Sequence, residues 1–368
     1  MKLSCTQENL NKGLLIVSRM ARPQATLPVL SNILLTTQEG RLKISATDLE
    51  IGITCYIGAK IEKEGGITVP ARLLNEYVTM NNDKKIDLSV VDNTLVLESE
   101  RFKTKIKGID VSEFPLIPKV TEKPLVTFSP QNLKEAISQV LIAPSLDETR
   151  PVLTGVCLRI GKKEAKLVAT DSFRLAEKTL ELEKEIEGKK EVILPSKTLS
   201  EVSRIISLVN PSSVSFAIST NQVLIVLDDI QIISRIIEGS FPDYESIIPK
   251  EVGTESVLEV AVFQNALKIA QLFAKETGNN VKLKLTKDKI IIEAVSPLIG
   301  ENRSSVLATT QGPDAEITFN VKFLLDVLSV VSSSKISLGV TGKISPGIIR
   351  PFGRKDYLYL IMPLQTEE

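Results

Sequence analysis

Two aspartates in like surroundings are the residues whose type and setting could do chemistry. Asp48 stands in Ala46-Thr47-Asp48 and Asp171 in Ala169-Thr170-Asp171, the second continuing Ser172-Phe173-Arg174-Leu175. A carboxylate can act as general acid, general base or metal ligand, and Thr-Asp can equally close a strand with an Asx-type turn. The rest of the chain gives enzyme chemistry little support. It contains no histidine, which removes the commonest general base, every Ser-His-Asp or Cys-His arrangement and the commonest metal ligand. Neither GxxxxGK[ST] nor GxGxxG occurs, so no phosphate-cradling loop is encoded. Cys5, Cys55 and Cys157 are far apart and in no metal spacing, a pattern that fits a reducing cytoplasm. No catalytic residue, metal or cofactor is expected.

The elements that must position these residues come from a chain of 368 residues, enough for two or three domains. Apolar residues are 43% and charged residues 24%, the balance of a globular protein with substantial cores. Lys+Arg 45 against Asp+Glu 45 excludes a wholly basic surface, though not a basic patch balanced elsewhere. With no tryptophan and 4% aromatics, base-stacking platforms for single strands are poorly supplied. The N-terminus lacks the apolar core of a signal peptide and no window approaches a membrane span, so no membrane partner is expected.

Internal similarity organises the rest. "VPARLLNEYVTM", "LPSKTLSEVSRII" and "FNVKFLLDVLSVV" align Pro70 with Pro195 and Asn320, a spacing of 125 from 70 to 195 and again to 320. Arg72, Lys197 and Lys322 correspond, as do Glu76, Glu201 and Asp326. A second set, "QENLNKGLL", "PQNLKEAIS" and "FQNALKIAQ", is registered on Asn9, Asn132 and Asn265. The Ala-Thr-Asp triplet recurs, and its third copy has diverged to Ala294-Val295-Ser296. A repeat of this length is a domain. Pro-rich joints, "EFPLIPKVTEKP" and "SFPDYESIIPKEVG", place three domains at 1–120, 125–250 and 252–368. The two aligned sets have helical period: in the second repeat Leu199, Val202, Ile206 and Val209 share one face, with Lys197 and Arg204 on another. Between them lie Val/Ile/Thr-rich strand runs, so the fold class is α+β, each domain carrying two helices packed on antiparallel sheets.

Arg19, Arg72, Lys197 and Arg204 stand off the apolar stripes. They are either solvated helix surface or, if equivalent faces converge, a basic surface that touches phosphates without reading bases. Glu76, Glu201 and Asp326 dilute it, so charge alone would not hold DNA tightly.

The ordered series "LPVLSNILL", "ATDLEIG", "TVPARLL", "TRPVLTGV", "ATDSFRLA", "GSFPDY" and "YLIMPLQ" resembles the bacterial DNA sliding clamp family, the beta subunit of the replicative polymerase, over essentially the whole chain. The resemblance implies three clamp-type domains, ring-shaped as a homodimer, with helices lining a hole for duplex DNA and sheets forming the wall. Encirclement would make weak backbone contacts sufficient. It also implies an ATP-dependent clamp loader on a separate chain, in line with the missing phosphate loop.

By the same resemblance, Leu153, Thr170, Ser172, Phe173, Arg174, Leu175, Pro242, Ile247, Leu360, Ile361, Met362 and Pro363 surround a pocket. There the replicative polymerase, the loader and repair proteins dock short linear motifs through apolar anchors. Ser172 and Phe173 occupy positions where members vary, and Gln365 replaces the usual basic residue after Met-Pro-x, before Glu367-Glu368. Ring closure is implied through Phe102 and Ile106 against Leu272 and Phe273, with Lys103, Lys105 and Lys107 facing acidic partners. Arg19, Arg22, Gln24 and Arg150 match positions near the hole, although Pro151-Val152 replaces an aromatic pair found after Arg150 in some members. Two other readings stand beside this one: a monomeric clamp-like adaptor that binds peptides without encircling DNA, and an enzyme using Asp48 or Asp171.

Overall fold

Apolar residues three and four apart put one stripe of each long helix into a core. In the computed structural model, which describes residues 1–21, 27–118 and 120–364, these helices fall two to a repeat. The first repeat holds α1 (Gln7–Val17) and α2 (Ala71–Met80). The second holds α3 (Pro130–Val140), the single-turn α4 (Pro151–Thr154) and α5 (Ser196–Val209). The third holds α6 (Val260–Ala274) and α7 (Val321–Val330). Helix starts follow local chemistry: Thr6 caps α1 by accepting from Asn9 N, and Asn320 caps α7 by accepting from Lys322 N.

One alignment of the sequence shifts. The buried stripe of α1 is Leu10, Gly13, Leu14 and Val17, and that of α6 is Phe263, Ala266, Leu267 and Ala270. Asn9 and Asn132 therefore correspond to Val262 in the third repeat, and not to Asn265. The match was misled by Gln264-Asn265, which repeats the Gln131-Asn132 pair three residues later in the helix. The position at Gly13 must be small: a Cβ there would lie 2.7 Å from Ile44 Cδ1. Its counterparts, Ala136 and Ala266, are buried.

Among the described residues, the strand pairs within the sheets are antiparallel. One sheet orders Lys60–Lys63, Lys2–Thr6, Lys85–Val91, Thr94–Glu98 and Lys103–Lys107. The chain divides into two compact units, Met1–Gln131 with Glu201–Ile236, and Asn132–Ser200 with Ile237 onward. Each unit contains a sheet that runs from one repeat into the next. In the first unit, Ile51–Gly58 pairs with Ile230–Arg235, Ile53 opposite Ile232. In the second, Arg174–Glu181 pairs with Tyr357–Ile361, Ala176 opposite Tyr359.

The second of these joints carries a buried cation. Lys178 is 2% exposed and places its Nζ 2.6 Å from Asp356 and 3.9 Å from Glu135 on α3, while Arg354 reaches both acids. Burial alone would raise the Asp356 pKa, but hydrogen bonds from Arg354 and Lys178 outweigh it and hold the carboxyl at about 2. A carboxyl depressed in the folded state contributes stability that is complete above its unfolded value and is lost as pH falls through its folded one. Stability against urea is therefore expected to fall between about pH 4 and pH 2 in part through this group. Asp356→Asn should lower the urea midpoint at pH 7 and flatten the wild-type decline across that window.

Candidate functional site

The Thr-Asp turn is built alike in the first two repeats. In the first, the Thr47 hydroxyl donates to Ile51 O and accepts from Leu49 N, while Asp48 Oδ1 accepts from Glu50 N and Ile51 N. In the second, Thr170 donates to Arg174 O at 2.6 Å and accepts from Ser172 N, while Asp171 Oδ1 accepts from Phe173 N and Arg174 N. Leu49 and Ser172 take the same left-handed conformation, φ 76° and 77°. The diverged third copy keeps half of the device, with Ser296 Oγ accepting from Leu298 N and Ile299 N. Both aspartates are thus turn-closing acceptors. Among the described residues, no group of three or more His, Cys, Asp or Glu could hold a metal.

Beside the second turn, the chain gathers an apolar cluster from four segments. Leu175 and Leu360 are cross-strand partners and are buried together with Val168, Ile348, Phe241 and Tyr244; Val152 and Ile248 pack against them. Phe241 and Tyr244 meet edge to face at 6.3 Å between centroids. The Tyr244 hydroxyl donates to Glu177 at 2.5 Å, the Arg159 guanidinium stacks 4.7 Å from its ring, and burial pushes its pKa well above the ordinary tyrosine value. These aromatic anchors are missing from the expected set. Their signal was the Phe-Pro-Asp-Tyr motif in an aromatic-poor chain.

Around this cluster the expected pocket residues separate by exposure. Leu153, Leu175, Leu360 and Ile361 are buried core. Phe173 is 61% exposed and Ile247 48%, Pro242 and Ser172 are exposed, and Met362 and Pro363 are half-buried. Met362 N donates to Phe173 O at 2.8 Å, which brings the turn and the C-terminal segment side by side. Two polar residues differ from the open rim contacts expected of them. The Thr170 hydroxyl is used inside the turn. Arg174, its side chain 13% exposed, binds Asp171 at 2.9 Å, binds Asp326, and lies 4.3 Å over the Phe323 ring. Gln365, Glu367 and Glu368 lie outside the described residues.

The basic candidates separate too. Arg19, Arg72 and Arg150 are exposed and Lys197 is half-buried in the first turn of α5. Arg204 is not an open phosphate contact. Its guanidinium donates to Leu15 O, to Ile16 O at 2.7 Å and to Glu201 at 2.7 Å, tying the end of α1 to α5. Glu201 is buried and also faces Arg19 at 3.6 Å, while Glu76 pairs with Arg72 at 2.8 Å. The acids that dilute the basic helix faces are therefore partners of particular arginines. Arg22 and Gln24 lie outside the described residues.

Of the closure candidates, Phe102 and Leu272 are exposed and Phe273 is half-buried. Ile106 corrects the expectation. On strand Lys103–Lys107 the lysines face outward and Ile106, 2% exposed, points into the sheet's own core, as period-two alternation demands.

Residues 1–118, 127–243 and 245–365 match the family models described as the N-terminal, central and C-terminal domains of the DNA polymerase III beta subunit. The beta sliding clamp of Staphylococcus aureus is 31% identical over 355 residues, 94% of each chain. The crystal structure of the DNA polymerase sliding clamp from Bacillus subtilis superposes on all of both chains with a TM-score of 0.95 at 29% identity. That of the DNA polymerase III beta subunit from Thermotoga maritima does so with a TM-score of 0.93 at 27% identity. Three like repeats whose sheets run on from one to the next are the sliding-clamp fold. The chain belongs to the DNA polymerase III beta subunit family. Among the described residues, no helix is long and apolar enough to cross a membrane.

Arg174 is expected to be the polar residue on which this corner most depends. Arg174→Ala leaves Asp171 and Asp326 without their cation and should cost roughly 2–4 kcal/mol in chemical denaturation. Arg174→Lys should recover less than half of that, since an ammonium neither forks between two acids nor stacks on Phe323.

Proposed function

We propose that the chain is a DNA polymerase processivity factor. Two copies close head to tail into a ring that encircles duplex DNA and slides without reading sequence. Each chain contributes three clamp domains, 1–120, 125–250 and 252–368. The role is tethering and not catalysis, and it is exercised in the cytoplasm.

The observation that carries ring closure is an unfinished pattern. In the first repeat, the strand after the Ala-Thr-Asp turn pairs with the last strand of the second repeat. In the second, it pairs with the last strand of the third. In the third repeat the corresponding strand, Gly300–Gln311, is held on one side by Lys289–Ser296 and on the other only along Ala308–Gln311. The last strand of the first repeat, Lys103–Lys107, is a sheet edge. The helices repeat this. α1 meets α5 through Arg204, and α3 meets α7 through Gln139, whereas α6 and α2 hold the positions left over. Ile16 on α1 is 1% exposed but its counterpart on α6, Ile269, is 42%. Ile205 on α5 is fully buried but its counterpart on α2, Met80, is 76% exposed. An open strand edge with exposed apolar residues at one end, and the matching set at the other, call for a second copy. Two such contacts related by a two-fold axis close the assembly.

Arg19, Arg72, Arg150 and Lys197 are the proposed phosphate contacts, with Arg22 and Gln24 beside Arg19 in sequence. One exposed guanidinium gives a weak, salt-sensitive interaction, which suits a sliding ring. The peptide surface is the exposed fringe of the apolar cluster: Phe173, Pro242, Ile247, Met362 and Pro363. Methionine and an unconfined phenylalanine can repack around several anchors, so replicative polymerase, clamp loader and repair proteins can share one surface.

Ile269→Glu with Leu272→Glu is expected to turn a dimer that survives nanomolar dilution into a monomer in sedimentation equilibrium. It should also abolish retention on circular DNA that is released by linearisation. A wild-type chain that stays monomeric at all concentrations would leave the non-encircling adaptor in its place. Phe173→Ala and Met362→Ala are each expected to weaken a polymerase-derived peptide about tenfold by fluorescence anisotropy, without changing the dimer.

A further inference from the structure

The apolar fringe beside the second Thr-Asp turn has two sides, and different means hold them in place. Phe173 sits on a turn fixed by its own hydrogen bonds. Pro242 and Ile247 sit on the stretch 240–250, which belongs to no strand. Among the described residues, the backbone hydrogen bonds of that stretch are internal to it, from Ile247 N to Tyr244 O and from Ile248 N to Glu245 O. Between the sheet contacts at Ile237 and Gly253, side chains therefore decide where Ile247 stands.

The side chains that turn inward are Phe241, Tyr244 and Ile248. Phe241 and Ile248 make apolar contacts, which are non-directional and set a depth more than an orientation. Glu245 meets Arg159 at 3.1 Å, but its side chain is 65% exposed, and pairs so open to water contribute little. Tyr244 differs. It is 2% exposed, and its hydroxyl donates at 2.5 Å to Glu177, itself 9% exposed. A hydrogen bond to a carboxylate is short and directional, and it is strong where water is kept out. Glu177 stands two residues past Leu175 on the strand that leaves the Thr-Asp turn, and its other oxygen accepts from Lys166 at 3.2 Å. The Tyr244 bond thus ties the wall that carries Ile247 to the strand that carries the Phe173 turn.

We infer that Tyr244, through its bond to Glu177, is a positioning residue that presents Ile247 to a docked peptide. The inference rests on the reading of the fringe as a peptide surface. Tyr244 is buried and does not touch the peptide. It holds Ile247, whose N–H donates to the Tyr244 carbonyl at 3.2 Å, on the side of the fringe opposite Phe173. An apolar anchor then meets both side chains without first ordering the wall, and removing that ordering cost raises affinity.

Peptide affinity read by fluorescence anisotropy in a double-mutant cycle tests this, with the polymerase-derived peptide named above, carrying fluorescein, as the probe. Tyr244→Phe keeps the ring, its packing on Phe241 and the Arg159 contact, and removes only the hydroxyl. It is expected to weaken binding about fivefold while the dimer in sedimentation is unchanged. In an Ile247→Ala background the same change should cost less than about twofold, whereas in a Phe173→Ala background it should still cost about fivefold. A merely structural loss would weaken binding alike in every background. No effect of Tyr244→Phe on a peptide that wild type binds, or an equal effect in the Ile247→Ala background, overturns the inference and leaves the reading of the fringe standing. A peptide that wild type does not bind overturns both. Should Tyr244→Phe fail to fold, Glu177→Gln, a weaker acceptor, replaces it in the same cycle under the same criteria.

Discussion

A β-strand edge presents a row of backbone N–H and C=O groups that must find partners in protein or water. In this chain each repeat offers two such edges, one on the strand that follows the Ala-Thr-Asp turn and one on its last strand. Two of the three possible joins are made within the chain, by Ile53 opposite Ile232 and by Ala176 opposite Tyr359. The rest of the structure follows from how those edges are satisfied. The turns aim the edge strands, the helices cover the joints from one side, and the edges left over are Lys103–Lys107 and part of Gly300–Gln311, where the proposed second copy would attach. The balanced net charge is compatible with this design, because a closed ring holds DNA by topology and not by attraction.

The Thr-Asp turn shows how one local solution serves different ends. Its hydrogen bonds are the same in the first two repeats and persist in part with Ser296 in the third. Its surroundings are not. In the second repeat Leu175 backs it with a buried cluster containing Phe241 and Tyr244, and Phe173 stands out at its tip. In the first repeat Gly52 takes the place of Leu175, and a Cβ there would lie 3.0 Å from Ile117. The first turn therefore packs on its own Pro-rich joint, while the second presents an apolar fringe. Duplication supplied the scaffold and substitution of a few side chains separated the roles.

Much of the architecture was legible in the sequence. Helical and strand periods, the recurrent Pro70, Pro195 and Asn320, and the Pro-rich joints specify three α+β repeats, because these signals depend on residues close together in the chain. The exposed Arg72 could be picked out by matching repeats, and the exposed Phe173 and Leu272 by the resemblance to the clamp family. Most of the failures share one cause. Ile106 turned out to be core, Arg204 an internal tie to α1 and Arg174 a half-buried cation held by Asp326, through partners distant in sequence or on the unseen side of a strand, whereas the Thr170 hydroxyl is taken up by its own turn.

By itself, the sequence determined the repeat, the class of fold, the turn chemistry and the absence of the residues that most enzymes need. Those properties are local or compositional, and a periodic pattern expresses them directly. Tertiary structure alone decided which charges are free and which edges are open. Arg174 and Asp326 are 152 residues apart and Arg204 and Ile16 188, and no pattern of spacing reveals such pairs. Whether a lysine meets an acid or a carbonyl depends on which long-range neighbours the sheets bring alongside it. The proposed roles of Ile269 and Met80 could be read only after those neighbours were known.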